Sequence, residues 1–182
     1  NAGFLGHGAA LNTTNSLADI NFPSVNGNIY ASISDGNGGW YIAGSFTKVG
    51  RSKRANLAQI DSLGNVTSFN LNLNGSVNAL ALSGSTLYAG GNFTEVNGTT
   101  RNGLAAIDTS TGTATSFNPN INGSVNTLAL SGSTLYAGGI FNYVNGGTTR
   151  NRLAAFDTAT GTATSFNPNM DNSVSALMLS GS

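Results

Sequence analysis

The run VNALALSGSTLYAGGNFTEVNGTTRNGLAAIDTSTGTATSFNPNINGS, Val77–Ser124, is written again almost unchanged over Val125–Ser173. Val77 to Val125 is 48 residues and Val125 to Val174 is 49, a period that belongs to solenoids, propellers and arrays rather than to a domain with one central core. Turn chemistry divides the unit into four short strands. Val77–Leu82 is apolar and stops at Ser83-Gly84-Ser85. The next strand runs from Thr86 to about Val96 and stops at Asn97-Gly98, the strongest short hairpin signal. Leu104–Asp108 is the third strand and Thr113–Phe117 the fourth. The fourth is entered through Asp108–Gly112, where aspartate accepts hydrogen bonds from the turn backbone and glycine supplies positive φ. No helical period of 3.6 residues survives along the chain, so the fold class is all-β. Four antiparallel strands in about 48 residues make one β-propeller blade.

Working outward, Ser16–Pro23 ends in Phe22-Pro23, similar to the Phe117-Asn118-Pro119 that closes the unit quoted above. It reads as the last strand of a preceding unit. The first full repeat is more divergent, with Tyr41, Phe46, Leu57, Asp61, Gly64 and Phe69 standing 47 or 48 residues before Tyr88, Phe93, Leu104, Asp108, Gly112 and Phe117. The organisation expected is an irregular arm over 1–15 and a partial propeller over 16–182. Within the latter, 16–26 closes a preceding blade, 27–75, 76–124 and 125–173 are blades 1, 2 and 3, and 174–182 is the first strand of a next blade. A β-trefoil, which also builds three units of four strands, is the alternative. A start on a fourth strand and a finish on a first strand count against it. Such a chain is a segment of a longer propeller or closes by association with other copies, because uncovered strand edges invite pairing; alone it is not expected to be a stable monomer. The small Ala79, Ala81, Ala89, Gly90 and Gly91 are expected near the propeller axis, and Leu80, Leu82, Leu87, Phe93, Ile107 and Phe117 between blades.

Only 8% of the residues are charged, seven basic against seven acidic, where a globular chain averages about 25%. Zero net charge gives no electrostatic footprint for nucleic acid, and the local run Lys48, Arg51, Lys53, Arg54 reads as a solvated loop. There is no cysteine, hence no disulfide framework and no thiolate metal site. A start at Asn1 without methionine, together with poverty in Lys and Glu, is read as an extracellular or cell-surface protein whose signal peptide is removed. No apolar run reaches the roughly 18 residues that would span a bilayer as a helix.

Leu104–Phe117 and Leu153–Phe166, LAAIDTSTGTATSF and LAAFDTATGTATSF, resemble the A-x-D-x-x-T-G-x-x-x-W signature of quinoprotein-type (PQQ-like) β-propeller repeats. Phe stands where that family has Trp, and the first copy, Ala58–Gly64, is one residue short, which makes this a distant relative. What the resemblance implies is the blade fold; no cofactor follows from it.

A catalytic site needs a nucleophile with its base, paired carboxylates or a ligand cluster. His7 is the only histidine and lies in the arm, Glu95 is the only glutamate, and Asp35–Gly39 is a glycine-rich turn rather than a calcium loop. No catalytic, cofactor or metal residue is assigned. Arg54, Arg101 and Arg150 recur in register, as do Asp61, Asp108 and Asp157, and repetition in every blade assigns them to bracing.

The two near-identical copies differ at ten of 48 aligned positions, seven of them at or beside the loop between strands 2 and 3 or the link from strand 4 to the next strand 1. In an up-and-down blade both connections emerge on one face, and loops on a rigid scaffold carry binding. Asn92, Thr94, Glu95, Asn122, Ile140, Asn142, Tyr143 and Asp171 are therefore the binding residues expected. The leading function is a non-catalytic propeller that binds a protein or glycan, or other copies of itself. The alternatives are an enzyme module whose catalytic residues lie outside this segment, and a structural protomer of a surface filament or layer.

Overall fold

The computed structural model describes Gly6–His7 and residues 22–180. The arm expected over 1–15 and the strand expected over 16–22 lie outside the described residues, apart from Gly6–His7 and Phe22. Every named element is a strand, and among the described residues no helix is long and apolar enough to cross a membrane.

Three blades follow one another. In blade 1, β1 (Gly6–His7) runs parallel to β2 (Val25–Ser34), which pairs antiparallel with β3 (Trp40–Ser45). A small hairpin, β4 (Lys48–Val49) and β5 (Ser52–Lys53), returns to β2 through Val25↔Val49, and β6 (Leu57–Ile60) completes the sheet along β3. Blade 2 repeats the pattern with β7 (Val77–Ser83), β8 (Thr86–Gly91), the hairpin β9 (Glu95–Val96) and β10 (Thr99–Thr100), β11 (Leu104–Asp108) and β12 (Thr113–Ala114). Blade 3 has β13 (Ser124–Ser131), β14 (Thr134–Ile140), the hairpin β15 (Tyr143–Val144) and β16 (Thr148–Thr149), and β17 (Leu153–Asp157).

Three details differ from the expectation. The strand expected over Thr86–Val96 leaves the ladder at Gly91, because the Gly91 N–H donates to Gly103 O and the Asn92 N–H to Ser76 O. The chain then re-forms as the β9–β10 hairpin around Asn97 and Gly98, both at positive φ (51° and 76°). The fourth strand shrinks to Thr113–Ala114 in blade 2 and to single bridges, Ile60↔Val66 and Phe156↔Ala163, in the other blades. The first strand expected over 174–179 forms no ladder with a described residue.

The apolar cores lie between blades. Tyr41, Leu57, Phe69 and Leu71 of blade 1 pack with Val77, Leu87, Phe93 and Ile107 of blade 2. In the same way Tyr88, Leu104, Phe117 and Ile121 of blade 2 pack with Val125, Leu135, Phe141 and Phe156 of blade 3. Each buried Leu or Phe contributes roughly 1.5–3 kcal/mol; those of these two clusters obtain their cover from a neighbouring blade, whereas Phe46 packs within blade 1 with Val25, Ile42, Val49 and Ile60 and against Phe22. Of the small residues, Ala81, Ala89 and Gly90 belong to these seams: a Cβ on Gly90 would lie 2.6 Å from Val125 Cγ1, so its bare backbone lets the next blade approach, whereas one on Gly91 would meet Ser76 of its own blade. The seam is also tied by polar groups, as Asn78 Nδ2 donates to Val125 O at 3.0 Å.

Candidate functional site

The charges that recur in every blade are scaffold. Asp108 Oδ1 accepts from the N–H groups of Ser110 and Thr111 and from the Ser110 hydroxyl, and Asp157 does the same with Ala159 and Thr160. These bonds, led by the Ser110 hydroxyl for Asp108, the Thr160 hydroxyl for Asp157 and the Asn65 backbone for Asp61, hold the three carboxyls below the ordinary aspartate range. Asp35 is lowered too: burial pushes it up, but bonds from Asn37, Gly39 and the Gln59 side chain outweigh that. Arg54, Arg101 and Arg150 each bond two backbone carbonyls, one of them on the residue just after the fourth-strand pairing: Thr67, Thr115 and Thr164 respectively. They clip the 2–3 loop to the outer edge of the blade.

The rim opposite the aspartate turns is built on a recurring asparagine. Asn26 Oδ1 accepts from the N–H groups of Thr47 and Lys48, Asn74 Oδ1 from Thr94 and Glu95, and Asn122 Oδ1 from Asn142 and Tyr143. One carbonyl oxygen thus caps two backbone donors and ties the link before strand 1 to the hairpin of the same blade. In blades 1 and 2 the amide nitrogen also donates to a threonine, Thr47 or Thr94. Blade 3 has Asn142 at that position, and the Asn122 Nδ2 makes no hydrogen bond to a described residue. The 48-residue spacing of Asn26, Asn74 and Asn122 was present in the sequence; comparing only two copies hid it, because that comparison sets Asn122 against Asp171, which stands at the fourth position of the series.

Between blades 2 and 3 this rim opens into a cleft of about 610 Å³. One wall is Asn92–Thr94 with Asn102 and Gly103, the floor is the link Asn120–Ser124, and the other wall is Tyr143 with Gly146 and Gly147. No charged side chain lines it. Its polar walls are braced internally: Asn102 Nδ2 donates to Asn120 Oδ1 at 2.6 Å, and the Ser76 hydroxyl donates to Asn92 Oδ1 at 3.0 Å. The amide nitrogens of Asn92, Asn120 and Asn122 and the Tyr143 hydroxyl make no hydrogen bond to a described residue. Tyr143 is 48% exposed, and its backbone N–H is held by the Asn122 cap.

Of the eight residues singled out in the sequence, Asn92, Thr94, Asn122 and Tyr143 line this cleft and Glu95, Ile140, Asn142 and Asp171 do not. Glu95 and Asn142 sit on the outer sides of the hairpins, exposed; Asn142 Oδ1 is taken by the Arg152 guanidinium. Ile140 is 55% exposed at the end of β14. Asp171 is exposed on the link after blade 3, at the position of the capping asparagines. Among the lining residues missed by comparing repeats, Asn102 and Asn120 are identical in the two copies and could have been signalled by the recurring Asn-rich links, whereas Gly103 and Gly123 are replaced by Arg152 and Asn172 in the other copy. Among the described residues no group of three or more His, Cys, Asp or Glu side chains could hold a metal.

A family model described as the Rax2 C-terminal beta propeller domain matches residues 54–182. No curated protein matches the chain. Among solved structures, those of the computationally designed Ika8 and Ika4 proteins are similar, each at 16% identity, with TM-scores of 0.59 and 0.57. Each similarity covers 87% of this chain, against 43% of the Ika8 chain and 85% of the Ika4 chain. The likeness is one of fold, and the chain spans less than half the length of the Ika8 chain it matches.

Proposed function

The chain belongs to the family of the Rax2 C-terminal beta propeller domain, and from that premise we propose that it is a non-catalytic binding module that holds a neutral polar ligand, a glycan, in the cleft between blades 2 and 3. The observation that carries this reading is that the cleft lies on the loop rim and is walled by Asn92, Thr94, Asn122 and Tyr143, positions at which the repeats differ. Pockets combine apolar surface with a few well-placed polar groups that set specificity. Free amide N–H groups suit sugar hydroxyls, and an exposed tyrosine offers a flat amphipathic face to the C–H side of a pyranose. An uncharged lining favours a neutral saccharide over a phosphorylated or sulfated one.

An extracellular or cell-surface setting fits the same chemistry, since a surface of amide and hydroxyl groups with 8% charged residues suits a polysaccharide-rich environment. The A-x-D-x-x-T-G motif is read as a blade-packing device held in common with quinoprotein-type repeats, without their cofactor. Calorimetric titration against a panel of neutral oligosaccharides tests the proposal. Tyr143→Ala is expected to weaken binding about tenfold or more, roughly 1.4 kcal/mol, while Tyr143→Phe retains most of it. Unchanged affinity in Tyr143→Ala, or a folded chain that takes none of the panel, refutes the glycan reading.

A further inference from the structure

Two of the differences between the near-identical copies meet in the structure. Thr94 of blade 2 is Asn142 in blade 3, and Gly103 is Arg152. The Arg152 guanidinium donates to Asn142 Oδ1, and the same nitrogen donates to Phe141 O at 3.1 Å. Arg152 stands just before strand 3, where every blade requires positive φ: 65° at Asn56, 70° at Gly103 and 65° at Arg152. Glycine and asparagine enter that region readily, and a long side chain does so only where other contacts hold it there. Asn56 uses the position to brace its own blade, its Oδ1 accepting from the Phe46 N–H, and Gly103 needs no side chain. What distinguishes the arginine is its hold on the Asn142 carboxamide.

That hold bears on the cleft. In blades 1 and 2 the capping asparagine is satisfied at both ends, its oxygen by two backbone N–H groups and its nitrogen by the hydroxyl of Thr47 or Thr94 at 2.8 Å. Asn142 in place of the threonine removes that hydroxyl but brings a new acceptor, a carboxamide oxygen, to the same part of the hairpin. Its backbone N–H donates to Asn122 Oδ1 at 2.9 Å, so the two residues are neighbours. Yet the Asn142 oxygen is engaged by Arg152, and the Asn122 nitrogen makes no hydrogen bond to a described residue.

We propose that Arg152 is a positioning residue of the cleft: by holding the Asn142 oxygen it keeps the side-chain nitrogen of Asn122, a residue of the cleft floor, available to a ligand. Arg152 itself does not line the cleft and acts only through Asn142. A planar guanidinium fixed by a second bond, here to Phe141 O, is suited to hold a carboxamide in one orientation. The consequence for a ligand rests on the glycan reading given above; the consequence for the Asn122 nitrogen does not.

The test follows the Asn122 side-chain amide protons in the full chain by nitrogen-15 NMR, their signal assigned by its loss in Asn122→Asp. Arg152→Gly installs the residue that blade 2 carries at the same φ, so the blade is expected to fold. With Asn142 released to accept, these protons are expected to exchange with water at least about threefold more slowly than in the unaltered chain. Asn142→Thr, which restores the pairing of blades 1 and 2, is expected to slow them likewise. In Arg152→Gly combined with Asn142→Ala the slowing is expected to vanish, a rescue that a general loosening of the hairpin would not give. Against a saccharide that the unaltered chain binds, Arg152→Gly is expected to weaken affinity about threefold to tenfold, the range of one hydrogen bond, and the double variant to restore it. Equal exchange in the unaltered chain, Arg152→Gly and Asn142→Thr overturns the proposal, as does unchanged saccharide affinity in Arg152→Gly. The expected exchange pattern in a chain that takes no saccharide supports the hold of Arg152 on Asn142 and refutes the glycan reading alone.

Discussion

Phe117 and Phe166 lie in one seven-residue context, ATSFNPN, and each ring stands 5.4 Å from a strand-2 tyrosine. They differ in what lies beyond: Phe117 is sealed by blade 3 at 2% exposure, and Phe166 leaves 40% of its surface open. Truncation of a sealed phenylalanine forfeits its transfer free energy and leaves a cavity, about 3–5 kcal/mol together. At Phe166 the transfer contribution is partial, on the order of 1–2 kcal/mol, and no closed cavity forms. Phe117→Ala should therefore cost about two to three times as much as Phe166→Ala. Urea unfolding followed by far-UV circular dichroism reads the difference. With a slope of about 2 kcal/mol/M, the midpoint falls by about 2 M in the first variant and by less than about 1 M in the second. Equal shifts would mean that contacts within a blade, and not the seams between blades, carry the stability, and the account of the cores given above would be wrong.

Asn122→Ala removes the shared acceptor of the Asn142 and Tyr143 N–H groups and is expected to cost about 1–3 kcal/mol, whereas Asn122→Asp keeps the acceptor and costs less than about 1 kcal/mol; exchange rates of those two amides distinguish the variants. Gly103 holds φ 70°, and a Cβ there would lie 2.6 Å from Gly123 O, so Gly103→Ala should destabilise by about 1–3 kcal/mol and narrow the cleft, read by urea midpoint and ligand titration. Asp35, Asp61, Asp108 and Asp157 all have folded-state values below the ordinary one, so their contribution is present above the unfolded value near 3.9 and is lost as pH falls through the folded values. Urea midpoints should fall on acidification below about pH 4, and Asp108→Asn should flatten that dependence.

The architecture was legible because its signals are local and repeated. Asn97-Gly98, Ser83-Gly84-Ser85 and the aspartate-to-glycine turns each dictate a backbone reversal wherever they occur, and the 48-residue spacing says how often. The partition of side chains was less legible. Ala89, with Leu87 and Phe93, belongs to the seam with blade 1, whereas Gly90 faces blade 3; which neighbour a residue meets depends on the stacking of blades, a relation between segments about 48 residues apart that no local pattern encodes. The same limit applied at the rim. Variation between two copies led to Tyr143, Asn92, Thr94 and Asn122 but gave no sign that the Asn122 carbonyl braces the hairpin through the Asn142 and Tyr143 N–H groups.

That double role explains how the rim changes between repeats without unfolding the blade. Each hairpin between strands 2 and 3 is held at two points that do not involve its variable side chains: an asparagine oxygen caps two of its N–H groups, and an arginine clips its far end to the residue just after the fourth-strand pairing. The caps act on backbone, so the side chains at positions 94/142 and 95/143 bear none of that load, and Thr-Glu becomes Asn-Tyr with the same two bonds kept. Where the clamp lets go of a side chain, a donor becomes free: replacing Thr94 by Asn142 removes the partner that the asparagine nitrogen has in blades 1 and 2. One substitution on a braced loop therefore turns a structural amide into one available to a ligand, and does so in the blade where a tyrosine stands beside it.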